Sequence, residues 1–147
     1  MGRVINPDGA GKDRTALTRS VVLAIRELVK QNEANQQTLD LAAYIALALE
    51  AIAATIDSSV AAWEKRGYWL KSDRFRMEWA WTITLGQNMR KAVLQQDWAM
   101  VAVTTAQIAE KLRKVEVPQR HRLGTPWDGA WDRLSTSRIA GTKNFTP

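Results

Sequence analysis

The chain has 147 residues, 21 Lys and Arg against 15 Asp and Glu, no Cys, and a formal net charge of +6. The absence of Cys excludes a disulfide framework and a thiolate metal site. The length is that of one domain that can bury a core without either. The basic balance favours an anionic partner such as nucleic acid.

The first residues lack the apolar region of a signal peptide, and the most apolar stretch, residues 41–56, is too short to cross a bilayer. Both features, together with the lack of Cys, predict a soluble cytoplasmic protein with no membrane partner.

Residues 1–14 are predicted to form an irregular N-terminal arm because they contain Pro and Gly. Thr15 is a candidate N-cap, and a first helix is expected over residues 16–31. The apolar residues at helical spacing are Leu17, Val21, Ile25 and Leu28.

A second helix is predicted to begin after Thr38 as its N-cap, with Asp40 in its first turn. Lys65 and Arg66 suit its last turn, and Gly67 follows as a stop signal.

A third helix is predicted from the N-cap Ser72 to about Gln95, and a fourth from the N-cap Asp97 to a point before Pro118. No alternating strand pattern or internal repeat is present. The prediction is an all-α protein, an up-and-down antiparallel four-helix bundle over residues 15–117. A C-terminal extension, residues 118–147, is expected to hold a short helix over about 126–134 and a polar tail.

None of the enzyme motifs that we considered is complete in this sequence. The segment from Asn6 to Asp13 has Asn where a phosphate-binding loop needs Gly and Asp where it needs Ser or Thr. His121, the one histidine, has no catalytic or metal-binding partners at a fixed spacing. We therefore expect no enzymatic activity, cofactor, metal or small-molecule substrate.

Basic residues are expected to gather at one end of such a bundle, where helices 1 and 3 begin and helices 2 and 4 end. Arg74 and Arg76 are the most informative, because cations are disfavoured at a helix N-terminus. Trp69 and His121 belong to the same end and are expected to stack on unpaired bases. The full predicted nucleic-acid-binding set is Lys12, Arg14, Arg19, Lys65, Arg66, Trp69, Lys71, Arg74, Arg76, Lys111, Arg113, Lys114, Arg120, His121 and Arg122.

Seven Trp is a large number for this length. In a regular third helix, Trp79 and Trp81 would point nearly opposite ways, which predicts two aromatic faces. One face would need cover from this chain or from a second subunit. The residues predicted for a protein interface are Met77, Trp81, Trp127, Trp131 and Leu134.

The sequence thus predicts a non-enzymatic basic subunit that binds the backbone of RNA or single-stranded DNA, independent of sequence, within a nucleoprotein assembly. In helical content and charge it resembles the small helical subunits of CRISPR effector complexes and the accessory bundles of retroelements. The alternative is a homo-oligomeric scaffold or adaptor that uses its Trp-rich faces for contacts with protein subunits, including copies of itself.

Overall fold

A computed structural model describes residues 7–136 and the side chains of residues 9–136, and every regular element in that part of the chain is helical. The helices are α1 (Pro7–Leu28), α2 (Gln36–Lys65), α3 (Trp69–Trp79), α4 (Trp81–Leu94) and α5 (Trp98–Lys111). Residues 130–136 form a further short C-terminal helix.

The first helix starts earlier than predicted. α1 begins at Pro7, so residues 7–14 are helical rather than irregular, while residues 1–6 of the predicted arm lie outside the described part. Proline is favourable at the first helical position. Ala10 is buried and Arg14 reaches α2, so tertiary packing offsets the cost of glycine in this turn.

α2 is the central helix and is about 45 Å long. Its N-cap is Asn35, whose side chain accepts from the Thr38 amide at 3.0 Å, and not Thr38 as predicted. Its end is as predicted, with Gly67 at a φ of 81°. The amides of Gly67 and Tyr68 donate to the carbonyls of Glu64 and Trp63, which forms a Schellman motif.

α1 and the α3–α4 segment both pack along α2 in the antiparallel sense. Arg14, near the start of α1, contacts Ser59 near the end of α2, and α3 meets the same end of α2. α4 approaches the middle of α2 closely at Gly86, where a Cβ would lie 3.3 Å from the Cβ of Leu49. α5 packs on α4. The core therefore centres on the buried apolar face of α2.

The predicted third helix is interrupted at Ala80, and it begins at Trp69 instead of after Ser72. Ser72 is fully buried, and its hydroxyl donates to the carbonyl of Tyr68. At the break, the Thr82 hydroxyl donates to the Trp79 carbonyl at 2.7 Å, and the Ile83 amide donates to the Ala80 carbonyl. This tighter turn changes the direction of the side chains that follow it.

The C-terminal segment packs on its own chain. Asp97 caps α5 as predicted, and α5 ends at Lys111. Trp127 and Leu134 are buried in the main core. The amide of Trp131 donates to the Asp40 carboxylate at 2.9 Å, and the amide of Gly129 donates to it at 3.4 Å. Asp40 thus caps the C-terminal helix rather than serving only its own helix.

α2 is also the one helix among the described residues that is long and apolar enough to cross a membrane. Of its most apolar stretch, 61% is buried inside the protein. A helix that is surrounded by neighbouring helices is also long and apolar, because its side chains are buried against them.

Candidate nucleic-acid interface

An open groove of about 820 Å³ lies at the turn between α2 and α3. This volume is within the range of small-ligand sites. Tyr68 and Trp69 line the groove, and 52% and 60% of their surfaces are exposed. The Schellman motif at Gly67 ends α2, and the two exposed aromatic residues follow it directly in the chain. The complete lining is Trp63, Gly67, Tyr68, Trp69, Leu70, Lys71, Arg74, Phe75 and Glu78.

The aromatic part of the groove wall is joined to a cluster of rings. Trp63 and Phe75 meet edge to face with centroids 4.8 Å apart, and Phe75 lies 6.3 Å from Trp79. Trp79 and Trp81 stack at 6.1 Å with an interplanar angle of 25°. The prediction that these two Trp point in opposite directions is wrong, because the helix is interrupted at the residue between them.

Four cations belong to the turn: Lys71 and Arg74 line the groove, and Lys65 and Arg66 directly precede Gly67 in the chain. All four are exposed, and none forms an ion pair within the described part of the chain. The ammonium of Lys71 lies 4.5 Å from the centroid of the Trp63 ring. The turn therefore holds exposed cations without ion pairs beside the exposed rings of Tyr68 and Trp69.

Arg14 serves the interior instead of the surface. Its guanidinium lies 4.8 Å from the centroid of Phe75 and 5.8 Å from that of Trp79. It donates to the hydroxyls of Thr55 at 3.2 Å and Ser59 at 3.4 Å. Burial lowers the pKa of Arg14, and the charge of Glu78 acts in the opposite direction. Because its guanidinium makes these contacts within the protein, Arg14 has few hydrogen-bond donors left for a ligand.

Arg76 is also engaged within the chain. Its guanidinium pairs with Glu64 on α2 at 3.1 Å and with Asp73 on its own helix at 3.3 Å. It therefore ties α3 to α2. The expectation that Arg74 and Arg76 lie at a helix N-terminus is wrong, because α3 begins at Trp69, which puts Arg74 in the middle of the helix and Arg76 in its last turn.

The end of α5 lies near the junction of α3 and α4. Lys111 lines a shallow depression together with Trp81, and Arg113 pairs with Glu110 at 3.0 Å. Lys114 follows and is exposed. On α1, Lys12 and Arg19 are exposed as well. None of these five side chains lines the groove.

The segment that carries Arg120, His121 and Arg122 runs away from the groove. Arg26, near the end of α1, donates to the carbonyl of Val117, and the segment continues to the contacts with Asp40. These contacts place it at the opposite end of α2 from Trp63. The expectation that these three residues join the basic end of the bundle is therefore corrected, because the chain after α5 turns back to cover the core. The Nδ1 atom of His121 accepts from the Leu123 amide at 3.2 Å.

The residues predicted for a protein interface fall into two groups. Trp127 and Leu134 are buried in their own chain, and Trp81 and Trp131 are half-buried against the same core. This is the intrachain cover that the sequence allowed as an alternative. Met77 is different, with 78% of its surface exposed.

Sequence reasoning did not include Trp63, Phe75 or Glu78 in the site. Lys71, Phe75 and Glu78 are separated by four and then three residues, the spacing of one helix face. This spacing is visible in the sequence, but it indicates a site only because α3 packs against Trp63.

No protein-family model, curated protein or solved structure matches this chain. Within the described part, no cluster of three or more His, Asp or Glu side chains could hold a metal ion.

Proposed function

We propose that this protein is a non-enzymatic subunit that binds RNA or single-stranded DNA at the α2–α3 turn. The observation that carries the proposal is the groove, where the exposed rings of Tyr68 and Trp69 lie among unpaired cations. Phosphates would contact Lys65, Arg66, Lys71 and Arg74, and an unpaired base would stack on Trp69. Combined positive charge and aromatic faces are the usual means of binding single strands without reading their sequence.

The shape of the molecule supports this location. The proposed architecture is an antiparallel bundle of four arms, namely α1, α2, the α3–α4 segment and α5. α5 packs on α4 and α3 packs mainly on α2, and the exposed side chains of Tyr68 and Trp69 leave the α2–α3 turn accessible. Within a larger nucleoprotein assembly, the α2–α3 turn would contact the nucleic-acid strand.

Charge reversal at the groove tests the proposal. Arg74→Glu is expected to weaken binding of a fluorescent twelve-nucleotide RNA or DNA by about tenfold at low salt, because one phosphate contact is replaced by repulsion. Lys91→Glu is the matched control, since Lys91 is an exposed lysine on α4 outside the groove. Fluorescence anisotropy measures both, and the loss should be similar for unrelated sequences.

Two results would overturn the proposal. One is the absence of affinity for any strand at low salt. The other is an equal loss in Arg74→Glu and Lys91→Glu, which would indicate a diffuse effect of net charge.

A second candidate function, the homo-oligomeric scaffold, is supported by the outer face of α3. Leu70 and Met77 are two helical turns apart on this face, and 64% and 78% of their surfaces are exposed. Light scattering of the wild type and of a Leu70→Ser/Met77→Ser variant tests it. A multimer that dissociates in the variant would support the scaffold, and a monomer over the whole accessible concentration range would exclude it.

A further inference from the structure

The groove contains one carboxylate, that of Glu78, among cations and aromatic rings. Glu78 is exposed and takes part in none of the ion pairs or hydrogen bonds between described residues, although its charge acts on Arg14. A carboxylate in a groove for a polyanion weakens the binding of phosphates. Its charge stabilises that of Arg14, and its exposed oxygens can also accept hydrogen bonds from a part of the ligand that is not phosphate.

The charges are arranged along one helix face. Lys71, Phe75 and Glu78 occupy neighbouring turns of α3, and the rise of a helix places Glu78 about 10 Å along the axis from Lys71. Phe75 lies between them and packs edge to face on Trp63. The groove thus has a cationic end near the turn, an aromatic floor and an acidic end.

A nucleotide has the complementary arrangement, with a phosphate at one end and the hydrogen-bonding edge of its base at the other. We propose that the groove takes one unpaired guanine of a single strand, with its phosphate on Lys71 and Arg74 and its Watson–Crick edge on Glu78. This rests on the proposed function, and it adds a base preference at one position of an otherwise sequence-independent contact.

Guanine is selected by the chemistry of a carboxylate. Its Watson–Crick edge carries two adjacent donors, N1–H and N2–H, which match the two acceptor oxygens of Glu78. Thymine and uracil have one N–H between two carbonyls, whose oxygens a carboxylate repels. Adenine and cytosine have one amino group beside a ring nitrogen that is itself an acceptor. Stacking of this base on the aromatic floor at Phe75 and Trp63 requires a free base face, which a duplex does not offer, and the exposed Trp69 is available to stack a neighbouring base of the strand.

The test uses twelve-nucleotide strands that differ at one central position. The strands are all-thymine DNA, the same strand with one guanine, and the same strand with one hypoxanthine, which keeps N1–H and lacks the N2 amino group. The wild-type protein is expected to bind the guanine strand about tenfold more tightly than the all-thymine strand, with hypoxanthine between them. Fluorescence anisotropy at fixed salt gives the three dissociation constants.

Glu78→Gln is the diagnostic variant, and Glu116→Gln is its control, because both remove one exposed carboxylate and raise the net charge equally. Glu116→Gln should strengthen binding of every strand slightly, whereas Glu78→Gln should strengthen binding of the all-thymine strand slightly and weaken binding of the guanine strand. Only Glu78→Gln should bring the guanine-to-thymine ratio close to one. Trp69→Ala should weaken the binding of all three strands. Thermal unfolding followed by circular dichroism verifies that each variant folds.

The possible failures are distinct. No affinity for any strand overturns the proposed function and this inference together. Equal affinity for the three strands, with Trp69→Ala still weakening all of them, overturns the inference alone. A guanine preference that survives in Glu78→Gln also overturns it, because the preference would then come from another group.

Discussion

At the scale of single residues, the same residue type has different roles that only its surroundings reveal. Arg14 and Arg74 both lie inside helices, yet one guanidinium is stacked on Phe75 and the other side chain is exposed at the groove. A planar guanidinium can stack on a ring and donate sideways at the same time, which an ammonium cannot do. Arg14 therefore stabilises the meeting of α1, α2 and α3.

Arg14→Ala is expected to lower the free energy of unfolding by about 2 kcal/mol, since it removes a cation–π contact and leaves two hydroxyls without their donor. Arg14→Lys should recover part of this loss but not the stacking. Arg19→Ala, at an exposed position on the same helix, is the control and should change stability little. Urea titration followed by Trp fluorescence measures all three, and equal stability of Arg14→Ala and Arg19→Ala would contradict the role given to Arg14.

At the scale of elements, the ends of helices depend on partners that are distant in sequence. The C-terminal helix receives its cap from Asp40, which lies in the first turns of α2. A side chain that accepts from free amides at a helix start stabilises the helix whether it is local or remote. Asp40 therefore joins the start of α2 to the last described element of the chain.

Asp40→Ala is expected to lower the free energy of unfolding by about 1 kcal/mol, the usual contribution of an N-cap. The loss should be concentrated in the C-terminal helix, where the amide of Trp131 would exchange its hydrogen faster. Asp57→Ala, at an exposed position of α2, serves as control. Hydrogen exchange resolved by residue measures the effect, and unchanged protection of Trp131 would contradict it.

At the scale of the whole molecule, the C-terminal segment is part of the core. Leu134 is completely buried, and Trp127 and Ala130 are buried with it. Unfolding of this segment alone would expose the apolar faces it covers, so it is expected to unfold together with the bundle.

Leu134→Ala is expected to lower the free energy of unfolding by about 2–5 kcal/mol, as for other buried leucines. Asp132→Ala, an exposed neighbour, should leave it nearly unchanged. Chemical denaturation should show one transition by both circular dichroism and Trp fluorescence. Two separate transitions would contradict a single core.

Much of the local structure follows from the sequence alone, because helix periodicity and caps are short-range signals. Helical character, the end of α2 at Gly67 and the cap of α5 at Asp97 are all confirmed. The cations and Trp69 at the α2–α3 turn could also be named, since a turn between two packed helices brings their ends together.

Tertiary structure decided the rest. The break at Ala80 brings Trp79 and Trp81 together, and the early start of α1 places Arg14 inside an aromatic cluster. The segment after α5 follows the apolar surface that Trp127 and Leu134 cover, so Arg120 and Arg122 leave the groove. These outcomes depend on which surfaces meet, and burial of apolar area between distant segments outweighs local preference.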